Sequence, residues 1–267
     1  GDYGRKMQLV FITGKAADII LMDDEFSPTY GVRGYLEDLR PYINRESDDC
    51  ERMLADELRY IETPAAQRGP GEDRPILPTA MESFNYRGFQ GGIPWDGNVQ
   101  LVYINKDLFD QAGLPYPDKN WTWYEFRELS RKLTKDFNGD GTPEQFGTNV
   151  GFGFFTFEPI LWSFGGDILN PEQTRCVIDS PRGLEAGQFV YQMRYIDRTV
   201  AWATDLDGFN TEVQLLTGRV ALVLSMSFMI PALNRVGDVM HWGLAPMPIG
   251  PHGDRYTRVT WDGISIN

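Results

Sequence analysis

Two dipeptides in this chain, Trp95-Asp96 and Trp261-Asp262, each set an indole beside a carboxylate. An indole face stacks on apolar C–H surface and a carboxylate accepts hydrogen bonds from hydroxyl groups, so each pair suits a ligand that carries both. The same rings can also serve only to pack the strands that bear them. A third acidic group, Asp23-Asp24-Glu25, follows the apolar run Ile19-Ile20-Leu21-Met22. Ligands of open α/β sheets bind at the carboxyl ends of strands, where this triplet would sit, and an exposed acidic loop accounts for it equally well. Paired carboxylates can also do chemistry. Two at a suitable separation are enough for glycoside hydrolysis, and 38 acidic residues supply many pairs.

The ring-dense stretch 152–167, FGFFTFEPILWSFGGD, contributes Phe155 and Trp162, which fit a helix core as readily as a ligand face. Trp202 stands among polar neighbours in 202–207 and is a better ligand candidate than a ring inside an apolar run. A metal is suggested by 136–147, DFNGDGTPEQFG. There Asp136, Asn138 and Asp140 alternate as calcium ligands do, Gly141 permits a sharp turn, and the Thr142 carbonyl and Glu144 would complete the shell. Gly147 stands where the usual bidentate Glu would be, and Asn or Asp before Gly also builds turns without an ion. Structural calcium is thus one of two readings of the loop, and no cofactor is required. The sequence contains no G-x-S-x-G, H-E-x-x-H, P-loop or strand-linked G-x-G-x-x-G.

Positioning these groups requires a scaffold, and one Trp-Asp pair lies near each of two strand signals. Residues 99–104 are rich in β-formers and lead into a helix that Asn105 can cap; 256–266 is a second strand-like run. If both are crossings between lobes, residues 1–98 plus 257–267 form one α/β lobe, 99–256 form the other, and a cleft lies at the crossings. In the first lobe the pattern predicts a helix over 2–11, a strand of the buried parallel type over 18–22, a short helix within 34–43, an amphipathic helix over 48–60 and a helix over 81–89. In the second, the capping box Thr122-x-x-Glu125 opens a helix over 123–136. Helices over 181–198 and 209–216, a buried strand over 220–226, a helix from 228 and a strand over 242–248 follow. Strand and helix alternate, the α/β pattern.

With 25 Lys and Arg against 38 Asp and Glu, the formal charge of −13 opposes nucleic acid or anionic lipid as a partner. No apolar run is long enough to span a bilayer. Cys50 and Cys176, placed in different lobes, are expected to be free thiols.

Eight stretches in order, GKAADIILMDD, GYLEDLRPYI, IPWDGNVQLVYINKDLFDQAGLPYPDKNWTWYEF, DFNGDGTPEQFG, LWSFGGDIL, FNTEVQLLTGRVALVLSM, WGLAPMPIGPHG and VTWDGISIN, cover nearly the whole chain. Together they resemble the extracellular solute-binding proteins of bacterial sugar ABC transporters, the family that includes maltose-binding protein. The resemblance implies a two-lobed periplasmic-binding-protein fold with a hinge of crossing strands. A mono- or oligosaccharide would be clamped in the cleft and delivered, without chemistry, to the membrane permease subunits of an ABC importer. A monomer that is periplasmic or extracellular, with anchoring as a lipoprotein, goes with that reading. Members of the family usually carry a strand and a long helix ahead of GDYGRKMQLV and several helices after the second crossing. The chain is therefore expected to be an internal fragment, its first lobe incomplete and any export signal outside it. Phe228 stands where the family commonly has Trp. The implied ligand set is Asp23, Asp24, Glu25, Trp95, Asp96, Phe155, Trp162, Trp202, Phe228, Trp261 and Asp262. A glycoside hydrolase or other carbohydrate-active enzyme is the rival class, and an adhesion module a third.

Overall fold

The computed structural model describes residues 3–43, 78–202 and 211–267. The expected helix at 48–60, Cys50, and 203–210 lie outside them. The chain divides into two units, Gly1–Asn98 with Val259–Asn267, and Val99–Arg258. It therefore passes between units twice, after Asn98 and after Arg258.

The first unit contains α1 (Tyr3–Ile12), β1 (Ile19–Asp23), α2 (Ser27–Val32), α3 (Arg40–Ile43), α4 (Pro78–Ser83), β2 (Asn85–Tyr86), β3 (Phe89–Gln90), the start of β4 (Ile93–Asn105) and, from the far end of the sequence, β8 (Val259–Ile266). β8 lies between β1 and β4. β1 pairs with it antiparallel, Ile20 opposite Ser265 and Asp23 opposite Asp262. Ile20 and Met22 join Met7, Phe11, Tyr30 and Leu36 in the core, whereas Ile19 and Leu21 are exposed. The run is thus an alternating antiparallel strand and not one buried on both faces in a parallel sheet. Periodicity could not separate the two, because both faces carry apolar residues.

The helix expected over 81–89 ends at Ser83, and 85–90 folds as a hairpin. Its two-residue turn, Arg87-Gly88, has φ of 50° and 81° at the two positions. Left-handed conformation at both turn residues matches the right-handed twist of the strands, and Gly88 supplies it without steric cost. Of 34–43 only Arg40–Ile43 is helical, and α2, with Pro28 in its first turn, is an additional helix.

In the second unit the rest of β4 pairs antiparallel with β6 (Val220–Met226) and with β7 (Trp242–Ala245), while β5 (Phe146–Thr148) runs parallel to β6. Every residue of β6 is buried, as its apolar run predicts. Around this sheet lie α5 (Lys106–Gln111), α6 (Trp123–Leu133), α7 (Phe154–Ser163), α8 (Pro181–Tyr191), α9 (Thr211–Leu216) and α10 (Met229–Val236). Trp123, Phe126, Phe164 and Phe189 interlock at the centre of the larger core, with Trp123 edge-on to Phe126 and Phe189. Asn105 caps α5 by accepting from the Leu108 amide at 3.1 Å. The capping box of α6 is complete: Thr122 Oγ1 accepts from the Glu125 amide and Glu125 Oε2 from the Thr122 amide. That helix stops at Leu133, three residues earlier than expected, where Thr134 turns extended and its hydroxyl donates to the Ser130 carbonyl. The helix expected over 181–198 changes after Tyr191 to a π-helical turn, Gln192–Ile196. Arg127 straddles this turn, donating to Gln192 Oε1 and to the Asp197 carboxylate.

Candidate ligand-binding site

The first unit gathers one acidic group. β1 delivers Asp23 at its last position, and the register sets Asp262 of β8 directly opposite. Like charges facing each other across an antiparallel pair repel, unless one of them takes a proton. Burial, a hydrogen bond to the Asp23 carboxylate and the charges of Asp23 and Asp96 push Asp262 up to about 6 from 3.8. Asp24 follows in the turn, where its amide donates to the Trp261 carbonyl at 2.9 Å. Burial raises its carboxyl, against hydrogen bonds from the Trp261 amide and the Ser83 hydroxyl, while the charge of Glu25 adds to the rise. Asp96 Oδ1 accepts from the Gly97 amide at 2.7 Å. Asp23, Asp24, Glu25, Asp96 and Asp262 thus form one bank of hydrogen-bond acceptors. Asp262 can also act as a donor below its raised pKa.

Two indoles neighbour Asp96 and Asp262 along the same strands. Trp95 is 74% exposed, and the six-membered ring of Trp261 rests on Gly97, so closely that a Cβ there would lie 2.4 Å from Cζ3. Ser83, at the end of α4, is the one partner here that sequence reasoning missed, and nothing in the local sequence marks it.

In the second unit the four predicted rings sit on three stretches, two of them on one helix. Phe155 is exposed in the first turn of α7, and Trp162, two turns later, directs Nε1 to Asp167 Oδ1 at 3.4 Å. The Trp202 ring lies under the Arg194 guanidinium at 4.5 Å. Phe228, exposed just ahead of α10, borders a cavity of about 200 Å³ together with Thr211, Glu212, Ser225, Met229 and Ala232. Beneath Phe154 and Phe155 lies an Arg258 guanidinium, 4.3 and 4.7 Å from the ring centres, which donates to Glu158. Gln100 Nε2 donates to the Phe155 carbonyl at 2.7 Å and so ties β4 to the same helix turn. Sequence reasoning passed over Arg258 and Glu158. Their signal was a lone Glu within the apolar run of α7, which burial makes costly without a cationic partner.

The loop read as a calcium site closes on itself. Asp136 accepts from the Gly139 and Gly141 amides, Asn138 from Asp140, Asp140 from Thr142 and Glu144 from Phe137, at 2.7 to 2.8 Å. Among the described residues no group of three or more His, Cys, Asp or Glu side chains is gathered so as to hold a metal ion. Asp140 and Glu144 each accept their amide through one carboxylate oxygen. Cys176 is an exposed free thiol.

Comparison with known proteins gives consistent matches. The chain is 24% identical over 268 residues to a binding protein of Brucella abortus, covering 97% of this chain and 56% of that protein. It is 26% identical over 280 residues to the erythritol/L-threitol-binding protein of Mycolicibacterium smegmatis, covering 97% and 54%. Among solved structures, an ABC substrate-binding protein of Listeria monocytogenes in complex with cycloalternan superposes with a TM-score of 0.79 at 23% identity, over 99% of this chain and 60% of that one. The chain spans just over half the length of these relatives. Its fold is the periplasmic-binding-protein fold. The model of the bacterial extracellular solute-binding protein family matches residues 1–267, and the chain belongs to that family.

Proposed function

We propose that this chain binds a sugar or a related polyol and, as part of a longer extracellular receptor, hands it to the permease subunits of an ABC importer without chemical change. The observation that carries this reading is the group of carboxylates on β1, β4 and β8, on strands that also carry Trp95 and Trp261. Hydroxyl groups need such acceptors, and the C–H faces of a sugar need such rings. The ligands named for the Mycolicibacterium and Listeria proteins, a tetritol and a cyclic oligosaccharide, belong to the same chemical class. Phe155, Trp162, Trp202 and Phe228 are the second unit's candidate contributors.

Isothermal titration of the full-length protein with neutral sugars and polyols tests the reading. Saturable binding without turnover is expected, with weaker binding after replacement of Trp95 or Trp261. Hydrolysis of a glycoside would favour the enzyme instead. Against that alternative stands the hydrogen bond between Asp23 and Asp262, because catalytic glycosidase carboxyls lie at least about 5 Å apart with the sugar between them. The receptor is further proposed to be monomeric and anchored as a lipoprotein, with calcium bound at the 136–144 loop. Sedimentation and acyl-chain labelling of the exported protein test the first two.

A further inference from the structure

Gly97 is exposed, lies in β4 one residue before the chain leaves the first unit, and is not among the glycines with positive φ. Its backbone conformation is open to any residue. What glycine supplies there is room: Cζ3, Cε3 and Cζ2's neighbour Cη2 of Trp261 lie 2.4, 2.6 and 3.2 Å from where a Cβ would stand. Side chains two apart on a strand share a face, so Trp95 projects from the same side of β4 as the space that the Trp261 ring fills. Asp96, between them, is tied to the Gly97 amide.

We infer that Gly97 is a specificity-determining position, which seats the Trp261 ring against β4 on the face that carries Trp95 and so builds an indole surface selective for cyclic sugars over acyclic polyols. This rests on the sugar-binding reading above. A pyranose ring presents a rigid, contiguous C–H face that stacks on indole. An acyclic polyol has no such face until its rotors are frozen, at an entropic cost that weakens binding. A methyl group at position 97 must displace the Trp261 ring, because the ring edge is the mobile party and the strand backbone is not. The surface would then be lost without loss of the strand.

The test uses the full-length protein with maltose and mannobiose as cyclic probes and ribitol and erythritol as acyclic ones, in the wild type, Gly97→Ala, Trp261→Phe and the double variant. One of the disaccharides should bind the wild type at least about tenfold tighter than either polyol, and Gly97→Ala should weaken that disaccharide about tenfold. The substitution should change the near-UV circular dichroism of the indoles and should add nothing in the Trp261→Phe background. Equal disaccharide affinity in the wild type and Gly97→Ala overturns the inference, as does an equal loss in both backgrounds or a polyol that binds as tightly. Should Gly97→Ala fail to fold, Trp261→Phe alone decides: an unchanged ratio of cyclic to acyclic affinity overturns the inference. Binding of none of the four probes to the wild type overturns the sugar-binding reading and this inference with it.

Discussion

Arg258 and Glu158 form an ion pair in which the side chains are only 8% and 7% exposed, at the last residue of the second unit and the middle of α7. Desolvating two charges is expensive, so a buried pair is tolerated more than it is stabilising, but removing one partner strands the other. Glu158→Leu or Arg258→Met alone should lower stability by about 3 kcal/mol, whereas the two together should cost much less. Urea unfolding of the three variants checks this, and additive losses would show that the two charges are not coupled.

Asp262 gives a pH signature. Its folded pKa of about 6 exceeds the ordinary 3.8, so between those values the folded protein holds a proton that the unfolded chain has released. Stability should therefore fall as pH rises from about 4 to about 6 and level off above. Solvent around this partly exposed group limits the effect to about 1 kcal/mol. Asp262→Asn should remove the slope and stabilise the protein at neutral pH, and an Asn variant that keeps the wild-type slope, or is no more stable than the wild type at neutral pH, would refute it. Asp38 does not confuse the reading. A hydrogen bond from Arg40 holds it at about 2, so its contribution is lost only as pH falls from about 4 toward 2.

Gly147 tolerates no side chain. A Cβ would lie 2.1 Å from the Ser130 carbonyl oxygen, and backbone of a capped helix cannot give way as a ring edge can. Gly147→Ala should cost about 3 kcal/mol or more, by the overpacking penalty of a close-packed site. A melting temperature within a degree or so of wild type would contradict the helix-to-β5 contact.

Calcium at 136–144 requires Asp136, Asp140 and Glu144, whose carboxylates already accept loop amides, to coordinate the ion as well. If they do, millimolar calcium added to metal-stripped protein should raise its melting temperature by mass action, and Asp136→Ala should abolish the rise. No rise in the wild type would leave the loop as a set of side-chain-capped turns.

Elements with strong local signals were legible in the sequence. The α6 capping box, the Asn105 cap and the β6 run all rest on contacts within a few residues. What was not legible depends on the partner. The residues 85–90 carry no alternating pattern long enough to announce a hairpin, and its turn uses Arg-Gly in place of the commoner Asn-Gly. β1 looked like a parallel strand because nothing in its own five residues says that its neighbour is β8. The acidic group of the site was read from two Trp-Asp pairs and from the triplet at the end of β1. Ser83, and the seat that Gly97 gives Trp261, exist only once distant segments meet.

The pairing of β1 with β8 also bears on how the chain is made. Ribosomes release polypeptide from the amino end, so residues 19–23 emerge more than two hundred residues before 259–266. The second unit, encoded by one uninterrupted stretch, can mature in the meantime, because all strands that pair with β6 and β7 precede or adjoin them. β1 must wait. Until β8 arrives, Ile20 and Met22 lack the antiparallel partner that they have in the folded unit.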